Sequence, residues 1–431
     1  MGLAASAFLH ASSHAFRSCV SLSARAFASA HPQRSALVHA LVAALRLPVR
    51  LLRHAAASEE ELAEYHTSAF IEALRAASAP GAGDAPADSD VFRQLEACGL
   101  AHDCPPFEGA LEYARLVAGG SLAAADALFP TPGGAAKRAP PPRVAVHWDG
   151  GRHHASRGAA AGFCFVNDVV LAAQRLLRRG ARRVLYIDVD VHHCDAVAGA
   201  FYRSDAVLVV SMHMHGPGVY PGTGHGDERG AGRGAGHTLN LPLAPGLRDA
   251  LFIEAFDVLA GGAAALYRPH AVLLCAGADG LAGDPLGCWS LSPAALAHAA
   301  AKAKSWGAPL LVLGGGGYAA ANTARAWAAV TAALCGDPAS LAAAMPDAPV
   351  PDHEAMLSYG PSYAMWDQQP LRADENCRDD VIARCHDLLK ALREQYEDDG
   401  DAADDAKAAD GDEKTADGVA KAAPDDQQQA D

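Results

Sequence analysis

Short apolar runs alternate with amphipathic stretches over much of this chain. Runs at residues 143–148, 183–192, 206–213, 238–243, 271–279 and 309–314 predict strands. Residues 166–179, 249–267, 293–306 and 322–334 repeat their apolar positions at helical spacing. Strand and helix in repetition predict an α/β fold, a single domain whose mainly parallel central sheet is flanked by helices on both faces. Residues 35–128 read as mostly helical with loops, and 79–90 and 130–142 as loops rich in Pro and Gly. No internal repeat is visible, and no apolar run reads as long enough to span a membrane.

Charge changes this picture at one end. The formal net charge is −15, and residues 397–431 alone hold 13 acids against 3 lysines, which leaves about −5 on the rest. That tail has almost no large apolar residues, so it is expected to be disordered. The expected division is a catalytic domain over 7–395 and an acidic tail over 396–431. A nearly neutral body does not suggest a nucleic-acid binder. Ten cysteines without a CxxC pair suggest buried, reduced thiols rather than a disulfide frame. The first acidic residue is Glu59, and Arg17, Arg25 and Arg34 stand among Ser and Ala, a composition that resembles a transit peptide.

In parallel sheets, ligands bind beyond the C-terminal strand ends. The unusual polar residues fall at those ends. In Tyr186-Ile187-Asp188-Val189-Asp190-Val191-His192-His193-Cys194-Asp195, a strand would place Asp188, Asp190 and His192 on one face. Two carboxylates and an imidazole on a core strand are costly unless a cation neutralises them. Asp-x-His supplies an oxygen and a nitrogen ligand, and Asp279, beyond the run 271–275, supplies a third. Two Asp and one His leave a position for water, the mark of a catalytic metal site. His153 and His154 follow Gly150-Gly151, and one of the two imidazoles can shuttle the proton of an activated water. Asp188 and Asp195 suit as partners that fix the two rings. Residues 314–317 are all Gly and lead to Tyr318. A phosphate cradle is one reading of these glycines, but no P-loop Lys-Ser/Thr pair follows. A tight turn that aims the Tyr318 hydroxyl at a developing oxyanion fits better. Neither a GxSxG elbow nor HExxH is present.

These residues resemble those of class I histone deacetylases. The likeness rests on Trp148-Asp149-Gly150-Gly151-Arg152-His153-His154-Ala155, Gly162-Phe163-Cys164-Phe165-Val166-Asn167-Asp168, residues 188–195, Pro221-Gly222-Thr223-Gly224, residues 277–285 and residues 314–318. Within the class, residues 322–325, 351–354 and 359–361 are compatible with the histone deacetylase 8 type. The resemblance implies an arginase/deacetylase-like fold and zinc-dependent hydrolysis of Nε-acetyl-lysine, in histones or other proteins. It implies zinc on Asp190, His192 and Asp279. His154 would be general base and acid, His153 its electrostatic assistant and Tyr318 the carbonyl polariser. Phe163 and Tyr220 would wall a lysine tunnel, with Gly162 and Leu286 beside it, Asp103 gripping substrate at the rim and Arg34 near an acetate exit. Potassium would bind around Asp188, Asp190, His192, Ser211 and Met212. The implied protein is a self-sufficient monomer, with chromatin-complex partners as the class's other arrangement, in the nucleus, the cytoplasm or both. Residues 8–34 would belong to the fold rather than to a cleaved leader.

The sequence departs from the family at several points. Cys194 and Ala196 stand where Gly is usual, which bears on the Asp195–His154 contact or adds a redox-sensitive thiol. Tyr220 replaces Phe in the tunnel, and His102 replaces a rim Tyr. The competing functions are an acetylpolyamine or small-amide hydrolase on the same fold and a catalytically silent acetyl-lysine binding scaffold. Leu286, where polyamine enzymes tend to place an acid, argues for lysine side chains.

Overall fold

A computed structural model describes residues 9–11, 32–130, 143–367 and 369–409. The body of the chain ends at Leu392, and a C-terminal segment begins at Arg393. A small parallel pair joins β1 (Leu9–Ala11) and β2 (Arg50–Leu52). The main sheet has β3 (Val144–His147), β4 (Val184–Asp188), β5 (Val207–Met214), β6 (Thr238–Leu243), β7 (Ala271–Cys275) and β8 (Leu310–Leu313). Its order is β3-β8-β7-β4-β5-β6, and every pairing is parallel. All residues of β3, β4, β5, β7 and β8 are buried. Both faces of this sheet are covered, which is why its strands read as unbroken apolar runs rather than alternating ones.

Register aligns the strand ends. His147, Leu313, Cys275, Asp188, Ser211 and Asn240 form one continuous row across the six strands. The chain segments leaving β3, β8, β7 and β4, four adjacent strands, therefore emerge side by side. Helix starts support the same edge. Asn167 caps the helix Asp168–Arg178 through a 2.9 Å bond from the Val170 N–H, and Ser292 precedes the helix Pro293–Ser305 with Pro at its start.

Three expectations change. The strand expected over 183–192 stops at Asp188, because the Asp188 Oδ1 accepts the Asp190 N–H at 2.9 Å and turns the chain out of the ladder. Asp190 and His192 thus sit on a turn, not on a strand face. The strand expected over 271–279 likewise ends at Cys275. The helix Asp249–Tyr267 has 19 residues and mean hydropathy 1.5, enough by length and composition to cross a membrane. Here Phe252, Ala255, Phe256 and Leu259 are fully buried, so a core-facing stripe accounts for that hydropathy. In the final helix, Arg378–Ala409, residues Val381, Cys385, Leu388 and Leu392 are buried. The rest of the expected acidic tail, residues 410–431, lies outside the described residues, as do most of residues 8–34 and of the loop 130–142.

The helix Ala110–Leu128 contains Gly119 in its interior. A Cβ there would lie 2.2 Å from the Ala55 carbonyl oxygen and 2.8 Å from the Ala57 nitrogen. Helix propensity favours Ala over Gly by about 1 kcal/mol, but backbone this close cannot yield without moving the segment at 55–57. Gly119→Ala is therefore expected to lower stability by about 1–3 kcal/mol. The check is the urea midpoint, and an unchanged or raised midpoint would contradict the close approach.

Candidate active site

The turn after β4 and the segment after β7 bring three donors together. Ligand atoms of Asp190, His192 and Asp279 all lie within 4.8 Å of one another. The His192 Nδ1 is 2.9 Å from the Asp279 Oδ2 and 3.2 Å from the Asp190 Oδ1. Backbone fixes the carboxylates: Val191 N–H donates to the Asp279 Oδ1 at 3.0 Å, and Gly316 N–H to the Asp190 Oδ2 at 2.6 Å. Asp190 is 1% exposed and Asp279 is fully buried. Burial, with the Asp190 charge beside it, raises the Asp279 carboxyl above its usual range. Burial opposes ionisation of Asp190 too, but His153 and His192 hold it well below the carboxylate range. The His192 imidazole, despite burial, is pushed up to about 11 by Asp190 and Asp279. Two buried carboxylates and an imidazole at this spacing fit a divalent ion such as zinc, which would balance their charge. The walls are backbone: a Cβ on Gly277 would come within 2.3 Å of the Asp190 Oδ2, and one on Gly316 within 2.2 Å of the Asp279 Oδ2.

Two histidine–carboxylate pairs flank this centre. The His153 Nδ1 is 2.7 Å from the Asp188 Oδ2, and the His154 Nδ1 is 2.8 Å from the Asp195 Oδ1. The rings lie 4.0 Å apart, centroid to centroid. Their environments separate them. Burial lowers His153, but Asp188 and Asp190 outweigh it and raise the ring to about 9. Burial and the His153 charge lower His154 to about 4. A cationic ring thus sits beside a neutral one able to accept a proton. Asp188 is fully buried and also accepts from the Tyr186 hydroxyl. The two histidines arrive by the loop after β3, which Asp168 anchors: it accepts from Gly151 N–H at 3.1 Å, Arg152 N–H at 2.7 Å and the Ser121 hydroxyl. Asn167 adds a bond to the Ala155 carbonyl at 2.9 Å. Sequence reading gave Asn167 and Asp168 no role. Their signal was an Asn-Asp pair opening a helix, the ordinary mark of a cap.

Tyr318 is half-buried at the end of the glycine loop. Asp284 sets it, accepting from the Tyr318 N–H at 2.7 Å, and also from Leu286 at 2.9 Å and Gly287 at 3.1 Å. Burial first, then Asp279 and Asp190, raise the Tyr318 phenol well above its usual value, so it stays a donor. A narrow cavity joins Tyr318, His153, His154, Gly162, Phe163 and Arg34. Phe163 has φ +63°, a left-handed conformation costly for an aromatic residue, and its ring lies 5.9 Å from that of Tyr318. Tyr220, 41% exposed, packs its ring 4.9 Å from His154. Gly162 has no room for a side chain, since a Cβ would fall 2.5 Å from His154.

The residues expected at a rim are more open. Asp103 is exposed, and its Oδ2 accepts the N–H of Gly162, a cavity-lining residue, at 2.6 Å. Leu286 is 46% exposed. His102 is exposed with φ +45° and bonds Glu96 at 2.9 Å. Arg34, inside, donates to the Gly317 carbonyl at 2.9 Å. Cys194 leaves the His154–Asp195 contact in place. It is fully buried within the apolar core, where burial and Asp188 push its thiol well up. It is therefore an inert packing group rather than the redox-sensitive thiol expected at that position.

A model of the histone deacetylase domain family matches residues 29–334. Histone deacetylase 8 of Danio rerio is 38% identical over 347 residues, covering 80% of this chain and 85% of that protein. Histone deacetylase 8 of Xenopus tropicalis is 37% identical over 347 residues, 80% of this chain and 88% of its own. Histone deacetylase 6 of Arabidopsis thaliana is 36% identical over 375 residues, 85% of this chain and 75% of its own. With a parallel α/β sheet, a buried Asp-His-Asp cluster at its edge and this extent of similarity, the chain belongs to the histone deacetylase family.

Proposed function

We propose that this protein is a zinc-dependent lysine deacetylase that hydrolyses Nε-acetyl-lysine in proteins or peptides, histones among them. The convergence of Asp190, His192 and Asp279 beside two His–Asp pairs carries this reading. Zinc held by these three residues would supply Lewis acidity for the acetyl carbonyl and lower the pKa of water. With its Nδ1 turned to Asp195, His154 offers Nε2 to the attacking water, takes its proton and returns it to the leaving amine. His153, held cationic by Asp188, stabilises the negative charge that develops nearby. Tyr318 donates its hydroxyl to the acetyl oxygen as that atom becomes anionic. Phe163 and Tyr220 hold the lysine methylenes, Asp103 and Leu286 meet the flanking chain, and Gly162 leaves the width the tunnel needs. The register pairing of Asp188 with Ser211 supports a potassium site around Asp188, Asp190, His192, Ser211 and Met212.

The carbonyl-donor role makes Tyr318→Phe a sharp test. Turnover of an acetyl-lysine peptide should fall about 10²–10³-fold, with bound zinc unchanged by elemental analysis. Full activity in this variant would remove Tyr318 from the chemistry.

The ligand set makes a second prediction. A chelator should abolish hydrolysis and added zinc should restore it, while Asp279→Asn should fail to retain zinc through gel filtration. Activity that persists without metal would overturn the proposed function.

A further inference from the structure

The segment 98–104 lies along the stretch 160–164, and hydrogen bonds join the two at three points. Ala160 N–H donates to the Cys98 carbonyl at 2.9 Å, Gly162 N–H to the Asp103 Oδ2 at 2.6 Å, and the Cys104 Sγ to the Cys164 carbonyl at 3.8 Å. The middle bond reaches a strained turn. Ala161 and Cys164 pair in both directions, at 3.2 and 2.8 Å, so Gly162 and Phe163 are the two residues of a tight hairpin turn. Both are left-handed, Gly162 at φ +53° and Phe163 at φ +63°. Gly is the usual second residue of a hairpin turn of this hand, and an aromatic residue there keeps its conformation only if its surroundings impose it. The strain delivers the Phe163 ring, which lies 5.9 Å from that of Tyr318. One side of the turn is closed, since a Cβ on Gly162 would meet His154 at 2.5 Å and the Tyr220 hydroxyl at 2.9 Å. Asp103 reaches the turn from a second tight turn, closed by the Cys104 N–H on the Ala101 carbonyl at 2.8 Å, with His102 at φ +45°. Its other oxygen, Oδ1, forms no hydrogen bond among the described residues.

We infer that Asp103 is a positioning residue: through the Gly162 N–H it holds the left-handed turn that sets the Phe163 ring in place, and so it shapes the lysine tunnel for every ligand, including one with no backbone to grip. The inference rests on the hydrolase reading above, which gives Asp103 contact with the flanking chain of the substrate and nothing more. The two roles use different atoms, Oδ2 for the turn and Oδ1 for the flanking chain, so they do not compete. A carboxylate on an N–H forms a charge-assisted bond, stronger than a neutral one. Without it the Gly162 N–H turns to water, the turn loses its anchor, and Phe163 relaxes toward negative φ, which carries its ring out of the wall.

The test uses the full chain loaded with zinc, an acetyl-lysine peptide, and octanohydroxamate, a straight-chain ligand that chelates zinc from within the tunnel and offers no peptide backbone. Asp103→Ala should lower kcat/KM for the peptide and also weaken hydroxamate binding about tenfold by calorimetry. Asp103→Asn, whose amide oxygen can accept the same N–H, should restore most of the hydroxamate affinity. Amide exchange over residues 161–164, followed by mass spectrometry, should quicken in Asp103→Ala and stay near the wild-type rate in Asp103→Asn. Zinc content and the unfolding midpoint of each variant exclude a folding defect. Peptide turnover that falls in Asp103→Ala while the hydroxamate Kd stays unmoved overturns the positioning role and leaves the deacetylase reading intact. If the wild type hydrolyses no peptide, that reading fails, and hydroxamate binding together with amide exchange decides the positioning role alone. A wild type that binds no hydroxamate overturns it as well.

Discussion

Two carboxylates buried against one imidazole set the terms for the surrounding structure. Asp190 and Asp279 sit in a low-dielectric edge where like charges repel strongly, and His192 lies between them. Such a cluster keeps its geometry only if neighbours hold it, and here those neighbours are mainly backbone. N–H groups of Val191, His192 and Gly316 point at the carboxylates, and glycines at 277 and 316 let the chain come that close. The outer anchors do similar work at longer range. Asp168 fixes the histidine loop and Asp284 the tyrosine loop, each by accepting several N–H bonds at once. Four acids thus divide into two that face the cluster and two that position what surrounds it.

Much of this was legible in the sequence, for physical reasons that differ by feature. The six main strands announced themselves because a doubly covered sheet needs apolar residues on both faces, as in Val-Leu-Tyr-Ile-Asp of β4. The residues of the cluster were legible because Asp and His are rare beside such runs. Their geometry was not. Alternation assigned Asp190 and His192 to a strand face, whereas the Asp188 side chain captures the next turn and ends the strand first. Local pattern cannot show which acid will accept a backbone N–H. For the same reason Asp168 and Asp284 stayed hidden, since their partners lie in loops that meet only in the folded chain. The helix Asp249–Tyr267 was legible to its ends from its apolar spacing, although its overall hydropathy alone does not show the core that absorbs it.

The region around the cluster is polarised. Acidic groups gather at Asp188, Asp190 and Asp279, and Arg34 and Arg152 line the adjoining cavity. His153 and His154 line the same cavity, and burial and the nearby carboxylates drive their pKa values in opposite directions.

The close glycine walls also bear on how this protein can evolve under chemical pressure. Any side chain at positions 162, 277 or 316 would collide with His154, Asp190 or Asp279. An inhibitor whose contacts stop at these glycines and their carboxylates would rest on a surface that point substitution cannot reshape without disabling the protein. Escape variants would have to arise farther out, where Tyr220 and Leu286 are exposed and no such wall confines them.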